Sequence, residues 1–260
     1  ICEIGITHNT PIDDGDQIQT SAYRAIKNGI KINDVFSIAK DFKKSKRTKP
    51  IILMGYYNMI FQYNENKFLS RCKEAKVDGL IVVDLPYPEN KKLAAKCKKK
   101  GINFIQLVSP TTSHVRLKKI IKDSHDMVYY ISMLSTTWGK LKVSPKKILE
   151  RYSKIKNQNK SKNVVIGFGI TGKTIKSLKK ADGLVVGSAI CKEITNSIKK
   201  RQNVVINVNN LVKKLKNKTI WTGLQKLLKR VKKLNLPFIK GQPKRILLIV
   251  IGPLVVKGLS

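Results

Sequence analysis

Acidic side chains are scarce in this 260-residue chain: 16 Asp and Glu stand against 53 Lys and Arg, a formal net charge of +37. Only eight of the basic residues are Arg, and the lysines are scattered rather than interleaved with aromatics, which make up 7% of the chain. That distribution reads as solvated surface, so no nucleic-acid partner is expected. Cysteine is sparse too. Cys2, Cys72, Cys97 and Cys191 form no CxxC pair, and His8, His114 and His125 form no ligand cluster, which excludes a disulfide scaffold and a zinc module and predicts no metal site. Long apolar runs are missing: the longest, Ile246 to Val256, is interrupted by Gly252 and Pro253 and falls short of the ~20 residues of a membrane span. The opening ICEIGIT shows no basic n-region or cleavage pattern, so the expectation is a cytoplasmic protein with no membrane segment.

What is present is a repeated alternation. Short apolar, β-branched runs begin at Ile1, Ile51, Gly79, Asn103, Met127, Asn163 and Gly183. Continuous apolar character marks strands buried on both faces of a parallel sheet. Between them, Glu65 to Lys76, Glu89 to Lys100, Ser144 to Lys156 and Thr174 to Lys180 carry apolar residues at helical spacing under a polar face. A βα chain of this kind is a doubly wound sheet or a (β/α)8 barrel. The seventh run ends Gly187-Ser188-Ala189, and the sixth ends Gly167-Phe168-Gly169-Ile170. Glycines before a helix let backbone N–H groups approach an anion, and two such turns after the last strands form the phosphate site of many barrels. A tight turn explains a single GxG as well as a ligand does, but the pair favours the barrel. No GxGxxG follows the first strand, as an open dinucleotide-binding sheet would require.

Four of the sixteen acids, Glu3, Asp13, Asp14 and Asp16, fall in the first sixteen positions. Glu3 sits inside an apolar strand, where a carboxylate is costly unless it is paired, protonated or facing a cleft. Burial would raise its pKa and suit it to acid/base work. A frayed strand pointing Glu3 outward, or a lysine partner, is the plainer alternative. Asp13, Asp14 and Gly15 read structurally as turn formers.

Glu3-Ile4-Gly5-Ile6, followed by Asn9-Thr10-Pro11-Ile12-Asp13-Asp14-Gly15 and Ile18-Gln19, resembles the signature of the tryptophan synthase α subunit family. Leu53-Met54 with Tyr56-Tyr57-Asn58, Val82 to Pro86, Tyr130, Gly167 to Ile170 and Gly187 to Ile190 extend the likeness in family order across residues 1 to 217. The resemblance implies a TIM barrel that cleaves indole-3-glycerol phosphate to indole and glyceraldehyde 3-phosphate. It implies that Glu3 exchanges protons with the indole C3 and the glycerol hydroxyl, and that Asp14 accepts the indole N–H. Ile18, Met54 and Tyr130 would line the indole pocket. Phe168, Gly169, Gly187 and Ser188 would hold the phosphate, and Gly139 would belong to a lid loop. No cofactor is implied for this chain. Pyridoxal phosphate would sit in a partner β subunit of an α2β2 complex, docked near the loop after Asp14 and near Asn58.

The chain departs from the family pattern in three places. It starts at the family's second strand, so seven of eight strands are visible and the barrel is expected to be incomplete at the N-terminus. The sequence reads as an N-terminally truncated fragment or gene, with low stability and weak activity expected. Thr7 to Thr10 replace the family's P-[FY]-S-D, and an ungapped alignment sets Trp138 on the lid threonine. Residues 218 to 260 form a basic extension outside the family likeness. Within it, Leu224, Leu227, Leu228 and Val231 suggest an amphipathic helix, and the final apolar run has no evident partner. The rival readings are another phosphate-binding barrel, such as an isomerase or aldolase, and a basic nucleic-acid-binding protein.

Overall fold

The computed structural model describes residues 1–9, 14–45, 49–132, 143–167, 170, 172, 174–219 and 246–251, with 218–219 and 246–251 described by their backbone alone. The strands are β1 (Cys2–Gly5), β2 (Ile51–Gly55), β3 (Gly79–Val82), β4 (Asn103–Phe104), β5 (Gln106–Val108), β6 (Met127–Ile131), β7 (Asn163–Gly167), β8 (Gly183–Val186) and β9 (Ile246–Ile251). The helices are α1 (Asp16–Lys27), α2 (Ile32–Ser45), α3 (Tyr57–Gln62), α4 (Glu65–Glu74), α5 (Lys91–Lys99), α6 (His114–Asp123), α7 (Pro145–Lys156), α8 (Ser188–Lys199) and α9 (Val204–Thr219). All seven runs read from the sequence are strands, the one at Asn103 divided into β4 and β5 by Ile105.

The strands form one parallel sheet in the order β4-β3-β2-β1-β9-β8-β7-β6-β5. The two ends of that order are one chain segment: the Ile105 N–H between them still donates to the Leu80 carbonyl at 2.9 Å. The parallel ring is that of a TIM barrel, as expected, but it closes where seven strands were expected to leave an opening. The gap foreseen between β8 and β1 is filled by β9, which pairs in parallel with both. The apolar run at Ile246, which had no evident partner in the sequence, is thus a strand of the ring.

Burial follows the pleat. Ile52, Ile81, Ile105, Met127, Tyr129, Val165 and Val185 pack in the lumen. Their neighbours one residue away, such as Leu53, Leu80, Val128, Val164 and Ile166, pack outward under the helices. Each such side chain removed from water contributes about 1.5–3 kcal/mol. The four cysteines are buried and free.

Local signals start the helices. Ser144 accepts from the Lys147 N–H ahead of Pro145, Ser113 accepts from the Arg116 N–H, and Asn64, at φ +72°, accepts from Asn66 and Lys67. These contacts satisfy donors that the first helical turn leaves unpaired. The helix expected at Thr174–Lys180 is instead a run of turns. Ile175 and Leu178 are its buried apolar anchors, and so short a segment gains little against the cost of nucleating a helix. The helix expected around Leu224 lies outside the described residues.

The strand entries show where two of the few acids go. Asp78 accepts from the Ile51 N–H at 2.7 Å and pairs with Lys43 at 2.6 Å. Asp182 accepts from the Val164 N–H at 2.9 Å and pairs with Lys156 at 2.8 Å. Each carboxylate, set just before one strand, satisfies the first donors of the preceding strand at the N-terminal end of the barrel.

Candidate active site

Glu3 lies mid-strand in β1, in register with lumen-facing Ile52 of β2. Cys2 and Ile4 on either side pack outward, so the pleat turns the Glu3 side chain into the lumen. It is 0% exposed, and among the described residues neither carboxylate oxygen has a hydrogen-bond partner. Burial, helped by the nearby charge of Asp14, pushes its pKa from an ordinary 4.5 up to about 8. A carboxyl so deeply buried holds its proton, because the neutral form is far cheaper to bury. The frayed-strand and lysine-paired alternatives do not apply.

Asp14 is half-buried in the turn before α1. Its carbonyl accepts from Gln19 Nε2 at 2.7 Å, and the Gly15 carbonyl accepts from the Ile18 and Gln19 N–H groups. Those contacts tie the loop to the first turn of α1, where Ile18 is half-buried. Asp14 comes after the C-terminal end of β1, the end at which barrel enzymes carry their chemistry. At the same end, Met54 is half-buried against the lumen cluster, its carbonyl accepts from Ile6 N–H at 2.7 Å, and His8 stacks on Tyr56 at 4.9 Å.

The tyrosine assignment requires correction. Tyr130 faces outward, packed with Leu117, Ile148 and Val164 between sheet and helices, and cannot line a pocket in the lumen. Its neighbour Tyr129 is the lumen residue. Burial, then the charges of Glu3 and Asp14, raise the Tyr129 pKa, which puts its hydroxyl in the same electrostatic neighbourhood. The Tyr129 ring lies so close to Gly167 that a Cβ there would collide with it. Gly167, which the sequence suggested as part of a phosphate turn, is glycine for that packing reason.

Gly187 and Ser188 sit at the end of β8, where Ser188 opens the twelve-residue α8. No side chain caps this helix, so its first N–H groups and partial positive charge face the barrel mouth. Phe168, Gly169 and Gly139 lie outside the described residues. A cavity of about 390 Å³ opens beside the lumen, walled by Val83, Ile105, Leu107 and Ile131, with Ser109 and Arg116 among its polar lining. This lining is mixed polar and apolar and includes none of Glu3, Asp14, Ile18 and Met54; the sequence offered no sign of the cavity, because its walls come from separate parts of the chain. Among the described residues no cluster of His, Cys, Asp and Glu could hold a metal ion, and no helix is long and apolar enough to cross a membrane.

Comparison with known proteins bears on this geometry. The family model described as "Tryptophan synthase alpha chain" matches residues 1–220. A curated tryptophan synthase alpha chain from Pelagibacter ubique (strain HTCC1062) is 78% identical over 218 residues, covering 84% of this chain and 82% of the relative. Among solved structures, tryptophan synthase subunit alpha from Legionella pneumophila str. Paris superposes with a TM-score of 0.76 at 31% identity, covering 84% of this chain and 80% of that one. A chain of the tryptophan synthase complex from Pyrococcus furiosus superposes with a TM-score of 0.70 at 34% identity, covering 83% and 85%.

Proposed function

The chain belongs to the tryptophan synthase alpha chain family, a lyase that cleaves indole-3-glycerol phosphate to indole and glyceraldehyde 3-phosphate, and we propose that Glu3 and Asp14 carry the reaction. Below pH 8 the Glu3 carboxyl is mostly protonated. It delivers that proton to the indole C3, and the ring becomes an indolenine with positive charge spread to its nitrogen. The resulting carboxylate takes the proton of the adjacent glycerol hydroxyl. The carbon–carbon bond then breaks, its electron pair returns to the ring, and the aldehyde leaves with Glu3 protonated again. Asp14 accepts the indole N–H and stabilises the positive charge as it develops.

The apolar side chains of Ile105, Leu107 and Ile131, with Met54 in the same lumen cluster, suit the indole ring, and Ile18 is proposed to complete its pocket. The uncapped N-terminus of α8 at Gly187 and Ser188 suits the phosphate. Phe168, Gly169 and Gly139 complete the proposed set. The reaction moves protons and one carbon–carbon bond, so it needs no cofactor or metal of this chain. A β subunit bearing pyridoxal phosphate is the proposed partner in an α2β2 complex, consistent with the tryptophan synthase complex of the Pyrococcus furiosus relative.

The observation that carries this reading is the fully buried, unpartnered carboxyl of Glu3 beside Asp14 in the barrel lumen. Indole release by the parent chain, Glu3→Gln and Asp14→Asn, each checked for folding by circular dichroism, tests it. Both variants should lose at least ~100-fold in kcat, the lower range of an acid/base contribution. A folded Glu3→Gln within twofold of the parent would refute it.

A further inference from the structure

The strand that carries Glu3 has two neighbours of different origin. On one side Cys2, Glu3 and Ile4 lie opposite Ile51, Ile52 and Leu53 of β2. On the other they lie opposite Ile249, Val250 and Ile251 of β9. β9 is held in turn by β8, with Gly183 to Val186 opposite Ile246 to Ile249. Six residues from near the far end of the chain therefore occupy an interior position of the ring with a parallel strand along each edge. Their sequence, Ile-Leu-Leu-Ile-Val-Ile, is the unbroken apolar type that such a position requires.

A strand missing from this position would leave β8 and β1 about 9.5 Å apart, two strand spacings. That opening admits water to the lumen and leaves β1 an edge strand with unpaired N–H and C=O groups. Glu3, one residue from each end of its three-residue pairing with β9, lies directly along that opening. Its neighbour Ile4 is 3% exposed and Glu3 itself 0%, which requires both flanks of β1 to be covered.

We propose that the main chain of residues 246–251 is a positioning element of the lyase site: by filling the slot between β8 and β1 it fixes the register of β1 and keeps water from Glu3. The kinetic half of this proposal rests on the role given to Glu3 above. The placement half does not, and the two are tested separately.

Placement is read by disulfide trapping in the full 260-residue chain. Ile249 lies opposite Cys2, so the two Cα atoms are separated by one strand spacing of about 4.8 Å, within disulfide range. In Ile249→Cys, mild oxidation should join Cys2 to the introduced thiol, seen by mass spectrometry as a disulfide-linked pair of peptides from the two ends of the chain. In Leu248→Cys, one residue out of register, the link to Cys2 should be at least roughly tenfold weaker. Equal trapping at both positions, or none at either, overturns the placement whatever Glu3 does.

Positioning is read by Val250→Pro, which removes the N–H opposite Glu3 and cannot continue the ladder. Ile246→Pro, at the first residue of the strand where proline is tolerated, is the control. Val250→Pro should lower kcat at least roughly tenfold with KM changed less than about threefold, and should move the limb of kcat/KM near pH 8 about one unit lower as water reaches the carboxyl. Parent-like kcat and an unmoved limb in Val250→Pro overturn the positioning role. If Val250→Pro does not fold, the oxidised Ile249→Cys chain decides: with β9 locked in register it should keep at least half of the parent kcat, and an inactive locked chain overturns the role. A fully active Glu3→Gln alongside correct trapping would sink the catalytic reading and leave the placement standing.

Discussion

Glu3 ties stability to pH in a direction opposite to that of an ordinary salt-bridged carboxylate. Its carboxyl is raised from 4.5 to about 8 in the folded chain. The native state therefore keeps a proton that the unfolded chain releases. The stability associated with the neutral buried form is fully present below about pH 4.5, falls as pH rises through the interval, and is gone above about pH 8. Each pH unit within the window costs ~1.4 kcal/mol, so the whole span approaches ~5 kcal/mol. Glu3→Gln removes the titration while conserving size. The amide carries its own burial cost, but that cost does not change with pH. Urea unfolding followed by circular dichroism at intervals from pH 5 to pH 9 separates the two. The difference between parent and variant midpoints should drift by on the order of 1–2 M urea in favour of the variant as pH rises, while the variant has lost its lyase activity. Midpoints that move in parallel across the range would show that Glu3 ionises normally in the native state, and the burial argument would fail with them.

Two further outcomes follow from contacts described above. Gly167→Ala sets a methyl group into the Tyr129 ring and should cost about 1–3 kcal/mol by overpacking. Thermal unfolding should show the loss, and Tyr129→Leu in the same chain should recover part of it; a Gly167→Ala chain as stable as the parent would refute the contact. Asp182→Ala strands the Val164 N–H and leaves Lys156 without its carboxylate, so it should destabilise by about 1–3 kcal/mol. A surface acid such as Glu74, paired only with Arg71 in the same helix, should cost under about 1 kcal/mol when replaced by Ala; equal losses at the two sites would refute the distinction.

Much of this molecule is legible in its residues. Seven apolar runs with polar helices between them dictate a parallel sheet, the glycine turns after the last two favour its barrel form, and a glutamate inside the first run stands out because acids are so few. The choice between Tyr129 and Tyr130 is another matter. Both faces of β6 are buried, since Val128 and Tyr130 face helices while Met127 and Tyr129 face the lumen. Apolarity alone carries no parity signal in such a strand, and register with a neighbour of known orientation, such as β1 with its Glu3, is what decides. The cavity beside Ile105, Leu107 and Ile131 is hidden for a related reason: it exists only where separate parts of the chain converge. The role of β9 is hidden most completely, because one of its two partners, β1, lies at the opposite end of the described chain and nothing in its own composition names either.

That separation has a kinetic consequence. Neighbouring strands such as β1 and β2 meet after a connection of one βα unit, whereas β1 and β9 are joined by almost the entire chain. The search for such a distant pairing is slow, because the loop-closure entropy must be met before the contact stabilises anything. During synthesis from the N-terminus, β1 is made long before β9. The β9 edge of the strand that carries Glu3 is therefore paired late, and the enclosure that β9 gives to that carboxyl comes with nearly all of the described chain already made.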